Sequence, residues 1–317
     1  MQPSIPTEML AAAIDRFGGP EELNAERLPV PKPKADEVLI HLDAAGIGVW
    51  DKWIRTGEFS LGKSGFPMVM GNDGAGEVVG VGEKVTDFQP GDRVYAYTME
   101  GGFYAQYASV KQEFVAKLPK GLSPEQAGAL GADGITALRG LDDTLELRAG
   151  QSLLIFGASG GIGHLAVQLA KRMGAKVIAV ASGDDGVQLA KRLGADVAID
   201  GKKDDIVGAL KAFAPDGLDA ALVLTGGREL DAALKQVKQS GRFAYPNGVE
   251  PEPKAPAGVH GGAYDGVPDR AAFQKLNALI DKAPFHVEVR SYALKDAAQA
   301  HRDVEKHHLG KLALKMN

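Results

Sequence analysis

A glycine-rich turn between residues 157 and 163 is the part of the sequence with the clearest chemistry. It follows the apolar run Leu153–Phe156, and the apolar residues after it recur at steps of three and four, which predicts a strand, a turn and a helix. Gly160 and Gly163 keep the spacing of the last two glycines of a dinucleotide-binding turn, and Ala158 stands at the position of the first. Glycine is favoured there because a pyrophosphate must reach the backbone N–H groups at the start of the helix. The context therefore favours a nucleotide-binding turn over a purely structural one.

The end of the next strand indicates which nicotinamide cofactor is bound. This strand ends Val180-Ala181-Ser182, so no acidic residue stands where NAD-binding proteins hold the ribose 2′-hydroxyl. Ser182 can donate a hydrogen bond to a 2′-phosphate, and the sequence therefore favours NADP(H). Asp184 and Asp185 follow closely and are expected to cap the next helix. If they turned inward they would repel the phosphate and favour NAD(H).

Length, charge and composition limit the class of protein. The chain has 317 residues, of which 44% are hydrophobic, so two domains are expected. Its net charge of −5 gives no basic face for a nucleic-acid partner. The absence of cysteine excludes disulfides, thiolate zinc sites and a cysteine nucleophile. No apolar run suits a membrane span, and Met1–Leu10 lacks a signal-like region, so a cytoplasmic location and no membrane partner are expected.

The chain changes character near Leu122. Before it, short segments broken by Gly and Pro predict a small barrel-like domain, with strands at Glu37–Leu42, Glu77–Gly82 and Asp92–Tyr97. After it, Ser123 as N-cap and Pro124 at the first helical position predict a helix start.

Strands alternate with helices over much of the remaining chain. The similar segments Leu169–Ala175 and Leu189–Ala195 each read as a helix end, a glycine stop and the entry to a strand, which predicts a parallel sheet. Val249–Val267 is rich in Pro and Gly and is interpreted as a loop. The predicted strands and helices are Ser152–Phe156, Lys176–Ala181, Ala220–Leu224, Arg242–Tyr245, a helix near Arg270–Lys282, a strand near His286–Ser291, a helix near Lys295–Lys306 and the strand Leu309–Lys315.

Several motifs together resemble those of the medium-chain dehydrogenase/reductase superfamily. Gly71–Val78, Gly91–Val94 and Tyr292–His301 are similar to its signatures, and Gly134–Ala137 resembles its helix beside the nicotinamide. The resemblance implies an α/β fold, in which a GroES-like β-rich catalytic domain accompanies a Rossmann-type doubly wound parallel sheet. The implied boundaries are residues 1–122 and 266–317 for the catalytic domain and residues 123–265 for the NADP-binding domain. It also implies a homodimer formed through the sheet edge near Arg242–Val249.

The turn and the resemblance together imply a set of cofactor-binding residues. These are Thr136, Ala158, Ser159, Gly160, Gly161, Ile162, Gly163, Ser182, Thr225, Gly226 and Asn247. The lysine that the family carries shortly after the second strand is Gly186 here, and Lys202 or Lys203 is a candidate replacement.

The resemblance also bears on zinc. The positions matching the zinc ligands of related enzymes are Gly48, Asn72-Asp73 and Ala132, which supply neither thiolate nor imidazole. We therefore expect no metal, and an NADPH-dependent, zinc-independent reductase of quinones or α,β-unsaturated carbonyls. The alternatives are a zinc-free alcohol or carbonyl reductase and an NADPH-binding sensor protein of low activity.

The catalytic candidates lie in the first third of the chain. Asp51, Trp53 and Asn72 are proposed, with Trp50 as a further pocket-lining residue. The two tryptophans can stack on a flat substrate or belong to the core, and Asn72 can donate to a carbonyl oxygen. Asp51 can act as an acid, although a structural hydrogen-bond acceptor is favoured. His164 and His301 are expected on solvated helix faces.

Overall fold

The structure is a computed structural model that describes residues 5–59 and 65–316 of the 317-residue chain. Contacts between Cα atoms divide the chain into two compact units. Unit 1 comprises Met1–Ala132, Pro268–Gln274 and Val287–Asn317, and unit 2 comprises Asp133–Val267 and Lys275–His286.

The described strands and helices are numbered here in chain order. The strands are β1 (Glu8–Ile14), β2 (Asn24–Pro29), β3 (Glu37–Ile47), β4 (Met68–Val69), β5 (Asp73–Val81), β6 (Arg93–Tyr97), β7 (Tyr107–Lys111), β8 (Val115–Lys117), β9 (Ser152–Phe156), β10 (Lys176–Ala181), β11 (Val197–Asp200), β12 (Leu218–Val223), β13 (Val237–Pro246), β14 (His260–Tyr264), β15 (Val289–Ala293) and β16 (Lys311–Lys315). The α-helices are α1 (Asp51–Thr56), α2 (Pro124–Gly128), α3 (Gly131–Leu138), α4 (Gly161–Arg172), α5 (Gly183–Arg192), α6 (Ile206–Phe213), α7 (Leu230–Leu234), α8 (Arg270–Ile280) and α9 (Ala297–Asp303). None of these helices, in the part of the chain that the structure describes, is long and apolar enough to cross a lipid bilayer.

Unit 1 is built mainly from β-strands. Strands β15, β16, β3, β5, β6 and β8 follow one another in one sheet, with β7 paired to β3, while β2, β1 and β4 form another. The predicted strands at residues 37–42, 77–82 and 92–97 correspond to β3, β5 and β6. Apolar side chains from both ends of the chain form a common core, as Ile40 of β3 and Leu312 of β16 show, because β16 pairs with β3.

Helix α2 begins as the sequence predicts. The Ser123 side chain accepts a hydrogen bond from the Gln126 N–H at 3.2 Å, and the Gln126 side chain accepts one from the Ser123 N–H at 3.0 Å. This reciprocal cap satisfies two backbone donors that the helix leaves unpaired. Helix α2 contacts β3 and β5, and residues 123–132 therefore belong to unit 1. Unit 1 thus extends ten residues beyond the predicted boundary.

Unit 2 contains a parallel sheet with the strand order β11-β10-β9-β12-β13-β14. Counted from β9 as the first strand, this is the 3-2-1-4-5-6 order of a doubly wound fold, and its strand order reverses between β9 and β12. Ligands of such sheets bind at the carboxyl ends of the strands beside this reversal. The predicted strands at residues 152–156 and 176–181 match β9 and β10 residue for residue. The predicted α/β fold class is confirmed.

The interpretation of Val249–Val267 as a loop is wrong, because β14 lies within it. This strand pairs in parallel with β13, and Phe243 is opposite Gly261. A Cβ atom at Gly261 would lie 2.1 Å from the Phe243 carbonyl oxygen, so the strand needs a glycine there. The glycines that suggested a turn are therefore a condition of strand pairing. Strand β14 is therefore the edge strand on this side of the sheet. The segment near Arg242–Val249, where the dimer is predicted, is not at the edge.

Strand β15, near the C-terminus, begins later in the chain than predicted. The strand predicted near His286–Ser291 is observed as β15, which begins at Val289. The side chain of Gln168 on α4 binds both the N–H and the carbonyl of His286, at 3.0 and 2.8 Å. The backbone of His286 is thus engaged with a helix before the strand begins.

Candidate cofactor-binding site

The glycine-rich turn joins β9 to α4 at the carboxyl end of the sheet. Gly157 has a φ of 95°, a conformation that only glycine adopts at little cost. A Cβ atom at Gly163 would lie 2.1 Å from the Gly157 carbonyl oxygen, so this glycine lets the first turn of α4 approach the turn closely. The structure thus gives Gly163 the packing role that its spacing predicts.

Gly160, the N-cap of α4, has a different role. Among the described residues, the one atom that a Cβ built on it would approach is the Gly157 carbonyl oxygen, at 3.7 Å. Protein packing therefore does not require glycine at this position. Without a side chain, the N-cap leaves the start of α4 uncapped and its N–H groups open to an anion.

A cavity of about 390 Å³ lies beside this turn at the ends of β9, β10 and β12. Three of the predicted cofactor residues, Ser182, Thr225 and Gly226, line it. The remaining lining residues are Phe156, Gly157, Val180, Ala181, Gly201, Lys202, Gly227 and Arg228. The cavity is therefore placed where a dinucleotide-binding sheet holds the adenosine end of its ligand.

Two cations stand on the wall of this cavity. Lys202 follows β11, and Arg228 follows β12. Arg228 is partly fixed, because its Nη2 donates to the Asp204 carbonyl at 3.0 Å and its Nη1 pairs with Glu229. Lys202 is predicted from the sequence as a candidate cation, whereas Arg228 is not, because Arg228 lies on the loop after β12, two strands away from β10 in the sheet.

Lys203, the other candidate cation, does not line the cavity and is paired with two acids, Asp184 and Asp200. Its Nζ forms a hydrogen-bonded ion pair with Asp184, which raises the pKa of Lys203 above its usual value. Asp184 and Asp185 lie in the first turn of α5, where Ser182 is the N-cap, and neither lines the cavity. The inward turn that would have favoured NAD(H) is not observed.

Asp200, at the end of β11, holds the backbone of Lys202, which lines the cavity. Its carboxylate is 4% exposed and accepts the N–H groups of Lys202 at 2.9 Å and Gly183 at 3.2 Å. The hydrogen bond from the Lys202 N–H is the main reason why the pKa of Asp200 lies below its usual value. This acid therefore holds the backbone at residues 183 and 202, while its charge is balanced by these N–H donors and by Lys203, whose Nζ lies 3.8 Å from Asp200 Oδ2.

The other predicted cofactor residues do not line the cavity. Ala158 and Ser159 are buried in the turn, and a Cβ at Gly186 would lie 2.9 Å from the Ser159 hydroxyl. A side chain at position 186 would therefore displace Ser159. Thr136 is buried on α3 in contact with Gly266. Asn247 is exposed, and its Nδ2 donates to Asp265 at 2.7 Å.

The prediction that His164 is solvated is wrong. His164 is fully buried on α4, and its Nδ1 lies 2.9 Å from the Gly160 carbonyl oxygen. A carbonyl only accepts, so Nδ1 carries the proton and donates. Nε2 has no hydrogen-bond partner. Burial without a partner at Nε2 lowers the pKa of His164 to about 4 and keeps the ring neutral.

Acid should therefore destabilise the protein through His164. Its folded pKa of about 4 is below the usual 6.5, so its neutral form stabilises the fold above pH 6.5. This stabilisation, about 3 kcal/mol, is lost as the pH falls from 6.5 through 4. His164→Asn keeps a donor near Nδ1 and does not titrate. Urea unfolding at pH 7 and pH 4 should show a smaller loss for the variant, and equal losses would contradict this origin.

The catalytic candidates lie in unit 1. Asp51 is 1% exposed, and its Oδ2 accepts the Gly48 N–H at 2.8 Å and the Tyr104 hydroxyl at 2.6 Å, which fits the structural role favoured for it. Asn72 is 2% exposed and donates from Nδ2 to the Thr98 carbonyl at 2.9 Å, while its Oδ1 has no hydrogen-bond partner. Trp50 and Trp53 are both half-buried, so neither is a fully enclosed core residue.

The positions that match zinc ligands hold other contacts. Asp73 accepts the Ala132 N–H at 2.9 Å, and Gly48 donates to Asp51. Within residues 5–59 and 65–316, no group of three or more His, Asp or Glu side chains is arranged to hold a metal ion.

Comparison with known proteins identifies the family. Residues 34–120 match the family model described as "Alcohol dehydrogenase GroES-like domain", and residues 161–256 match the one described as "Zinc-binding dehydrogenase". The mouse quinone oxidoreductase is 32% identical over 311 residues, which cover 93% of this chain and 94% of that protein. The chain belongs to the medium-chain dehydrogenase/reductase superfamily, in its quinone oxidoreductase-like branch.

Solved structures agree with this membership. An NAD-dependent alcohol dehydrogenase superposes with a TM-score of 0.87 at 29% identity and covers 98% of this chain and 100% of its own. The Escherichia coli quinone oxidoreductase complexed with NADPH gives a TM-score of 0.84 at 25% identity, covering 96% of this chain and 99% of its own. This medium-chain dehydrogenase/reductase is therefore an oxidoreductase with a GroES-like domain and a Rossmann-like parallel sheet.

Proposed function

We propose that this oxidoreductase uses NADPH to reduce a quinone or an α,β-unsaturated carbonyl compound and needs no zinc. The observation that carries the proposal is the cavity at the end of β10, whose lining includes Ser182, Lys202 and Arg228 and no acid. A 2′-phosphate suits this lining, because two cations and a hydroxyl can bind its oxygens. The name of the mouse relative supports a quinone as substrate, and the E. coli quinone oxidoreductase structure with NADPH supports both the substrate and the cofactor.

The residues of unit 2 fit the rest of the cofactor. Gly160 leaves the N-terminus of α4 open to a pyrophosphate, and the positive end of the helix dipole favours its charge. Bound NADPH supplies a hydride from its nicotinamide ring. The predicted contacts of Thr136, Ala158, Ser159, Gly161, Ile162, Gly163 and Asn247 with this cofactor stay predictions.

The residues of unit 1 are proposed to receive the substrate. Trp50 and Trp53 present half-buried rings on which a flat substrate can stack. Asn72 uses one N–H on the Thr98 carbonyl, which leaves the second N–H of its Nδ2 as a donor for a substrate oxygen. Asp51 is assigned to hold Gly48, and water is the proposed source of the proton that completes the reduction. The small-molecule substrate, the homodimer and the cytoplasmic location remain part of the proposal.

Deuterium transfer tests the reaction directly. NADPH deuterated at C4, in each of the two configurations, is incubated with the protein and a simple cyclic enone. The proposal expects deuterium at the β-carbon of a saturated ketone from one configuration only. Deuterium at a carbinol carbon would establish a carbonyl reductase. No transfer to the enone, together with no oxidation of NADPH by 1,4-benzoquinone, would favour a sensor protein.

Metal removal should leave the activity unchanged. The residues matching zinc ligands are Gly48, Asn72, Asp73 and Ala132, which lack thiolate and imidazole groups. Dialysis against EDTA is therefore expected to change kcat and KM by less than about two-fold, which corresponds to about 0.4 kcal/mol. A loss that added zinc restores would contradict the metal-free mechanism.

A further inference from the structure

Four buried polar side chains in unit 1 form a continuous chain of hydrogen bonds. Each is at most 2% exposed. Arg55 Nη1 lies 2.7 Å from His301 Nδ1, His301 Nε2 lies 3.2 Å from the Tyr104 hydroxyl, and that hydroxyl lies 2.6 Å from Asp51 Oδ2. We call these residues the buried relay: Arg55, His301, Tyr104 and Asp51.

The donors and acceptors of the buried relay allow one arrangement. A guanidinium cannot accept, so His301 Nδ1 accepts from Arg55 and its proton lies on Nε2. Nε2 then donates to the Tyr104 oxygen, and the Tyr104 hydroxyl donates to Asp51. Burial, and after it the charge of Arg55, lowers the pKa of His301 to about 3, which keeps the imidazole neutral. The buried relay therefore connects a cation to a carboxylate through two neutral side chains.

Both ends of the buried relay hold the segment that carries the tryptophans. Arg55 Nε donates to the Gly18 carbonyl at 3.1 Å, and Asp51 Oδ2 accepts the Gly48 N–H at 2.8 Å. Helix α1 has six residues and no side-chain cap, so it is too short to be stable alone. Its position depends on these tertiary hydrogen bonds.

The indole of Trp50 rests on the residue that Asp51 holds. A Cβ atom at Gly48 would lie 2.2 Å from Trp50 Cε2, so the ring lies against the Gly48 backbone. The Nζ atom of Lys311, which is 2% exposed, lies 4.7 Å from the centre of this ring. Asp51, Gly48 and Lys311 thus define where the indole lies.

We propose that the buried relay is a positioning device that fixes Trp50 for a flat substrate, with Tyr104 and His301 as positioning residues that do not touch the substrate. This inference rests on the proposed function, in which Trp50 receives the quinone or enone. Tyr104 and His301 act through Asp51 and Gly48. Loss of one relay hydrogen bond therefore weakens substrate binding without changing the cofactor site.

The test compares two tyrosine-to-phenylalanine variants. Tyr104→Phe removes the central hydroxyl of the buried relay. Tyr292→Phe is the matched control, because the Tyr292 hydroxyl also donates to an aspartate of unit 1, Asp303, at 2.9 Å. We expect Tyr104→Phe to raise KM for 1,4-benzoquinone about 10-fold, with kcat and NADPH affinity within about two-fold. Tyr292→Phe should leave all three values unchanged.

Tryptophan fluorescence supplies a second readout. The chain has two tryptophans, Trp50 and Trp53, and both lie in the positioned segment. Acrylamide should quench their emission more strongly in Tyr104→Phe than in the wild type or in Tyr292→Phe. His301→Gln, whose amide can both accept from Arg55 and donate to Tyr104, should keep wild-type KM and quenching, whereas His301→Leu should change both.

Failure of the positioning role and failure of the proposed function give different results. A Tyr104→Phe variant that is folded, with wild-type KM and quenching, would overturn the positioning role. If Tyr104→Phe does not fold, the pair His301→Gln and His301→Leu decides in the same way. If the wild type reduces no quinone or enone, the proposed function fails, and quenching alone then decides whether the buried relay fixes the tryptophans.

Discussion

Replacing Gly160 by valine should lower the affinity for NADPH by at least about 100-fold and leave the fold intact. Two or three charge-assisted hydrogen bonds at the start of α4 would be blocked, each worth about 1.5–3 kcal/mol. The fold should survive, because a Cβ at Gly160 meets only the Gly157 carbonyl oxygen, at 3.7 Å. Its backbone is extended, with φ −81° and ψ −176°, which valine adopts readily. Titration of nicotinamide fluorescence measures the affinity, and a thermal melt measures the fold.

Gly163→Ala is the contrasting variant in the same turn. Its Cβ would lie 2.1 Å from the Gly157 carbonyl oxygen, so the helix and the turn would have to separate. We expect a loss of unfolding free energy of about 2 kcal/mol or more, as for other strained backbone contacts. If Gly160→Val bound NADPH like the wild type, the pyrophosphate could not lie at the start of α4.

Removing the two cations of the cavity should reduce affinity for NADPH and spare NADH. Lys202 and Arg228 line the cavity together with Ser182, and the two cofactors differ only in the 2′-phosphate. Each single alanine variant should weaken NADPH binding about 10-fold, and the double variant about 100-fold, because each charged hydrogen bond contributes about 1.5 kcal/mol at an exposed site. The dissociation constant for NADH should stay within about two-fold, which corresponds to about 0.4 kcal/mol.

Lys203→Ala is the control for the loss of one positive charge. Lys203 is adjacent to Lys202 in sequence but pairs with Asp184 and does not line the cavity. Its removal should change NADPH affinity by less than about three-fold, since an exposed charge at a distance is screened by salt. Equal effects of Lys202→Ala and Lys203→Ala would indicate that NADPH affinity depends only on the overall positive charge of the region. That result would contradict a 2′-phosphate site at Lys202 and Arg228.

Local patterns in the sequence predicted the parts of the fold that local physics determines. Strands β9 and β10 are runs of apolar residues bounded by glycine, and the cap at Ser123 is a short-range exchange of hydrogen bonds. Strand β14 was missed because the reason for its glycines lies on another strand: Gly261 is needed for the approach of the Phe243 carbonyl. Such a requirement exists only once the sheet is assembled.

The candidate functional residues show the same contrast between local patterns and contacts made only in the folded protein. The role proposed for Gly160 follows from its spacing, and the sequence itself shows that β10 is followed by the neutral Ser182. Arg228 could not be found in this way, since its place in the cavity depends on the order of β10, β9 and β12 in the sheet. His301 was expected to be solvated, but it is fully buried with Arg55 and Tyr104. Its partners lie 246 and 197 residues away in sequence, beyond any local pattern.

The most direct test of the central claim is a titration of the wild-type protein with NADPH and NADH, followed by 1,4-benzoquinone in the presence of EDTA. NADPH is expected to bind at least about 10-fold more tightly than NADH, as one charged contact to the 2′-phosphate requires. Its absorbance at the nicotinamide band should then fall catalytically on addition of the quinone. Failure to bind either nucleotide would contradict the assignment of the glycine-rich turn, and tight binding without turnover of quinone or enone would contradict the proposed reaction.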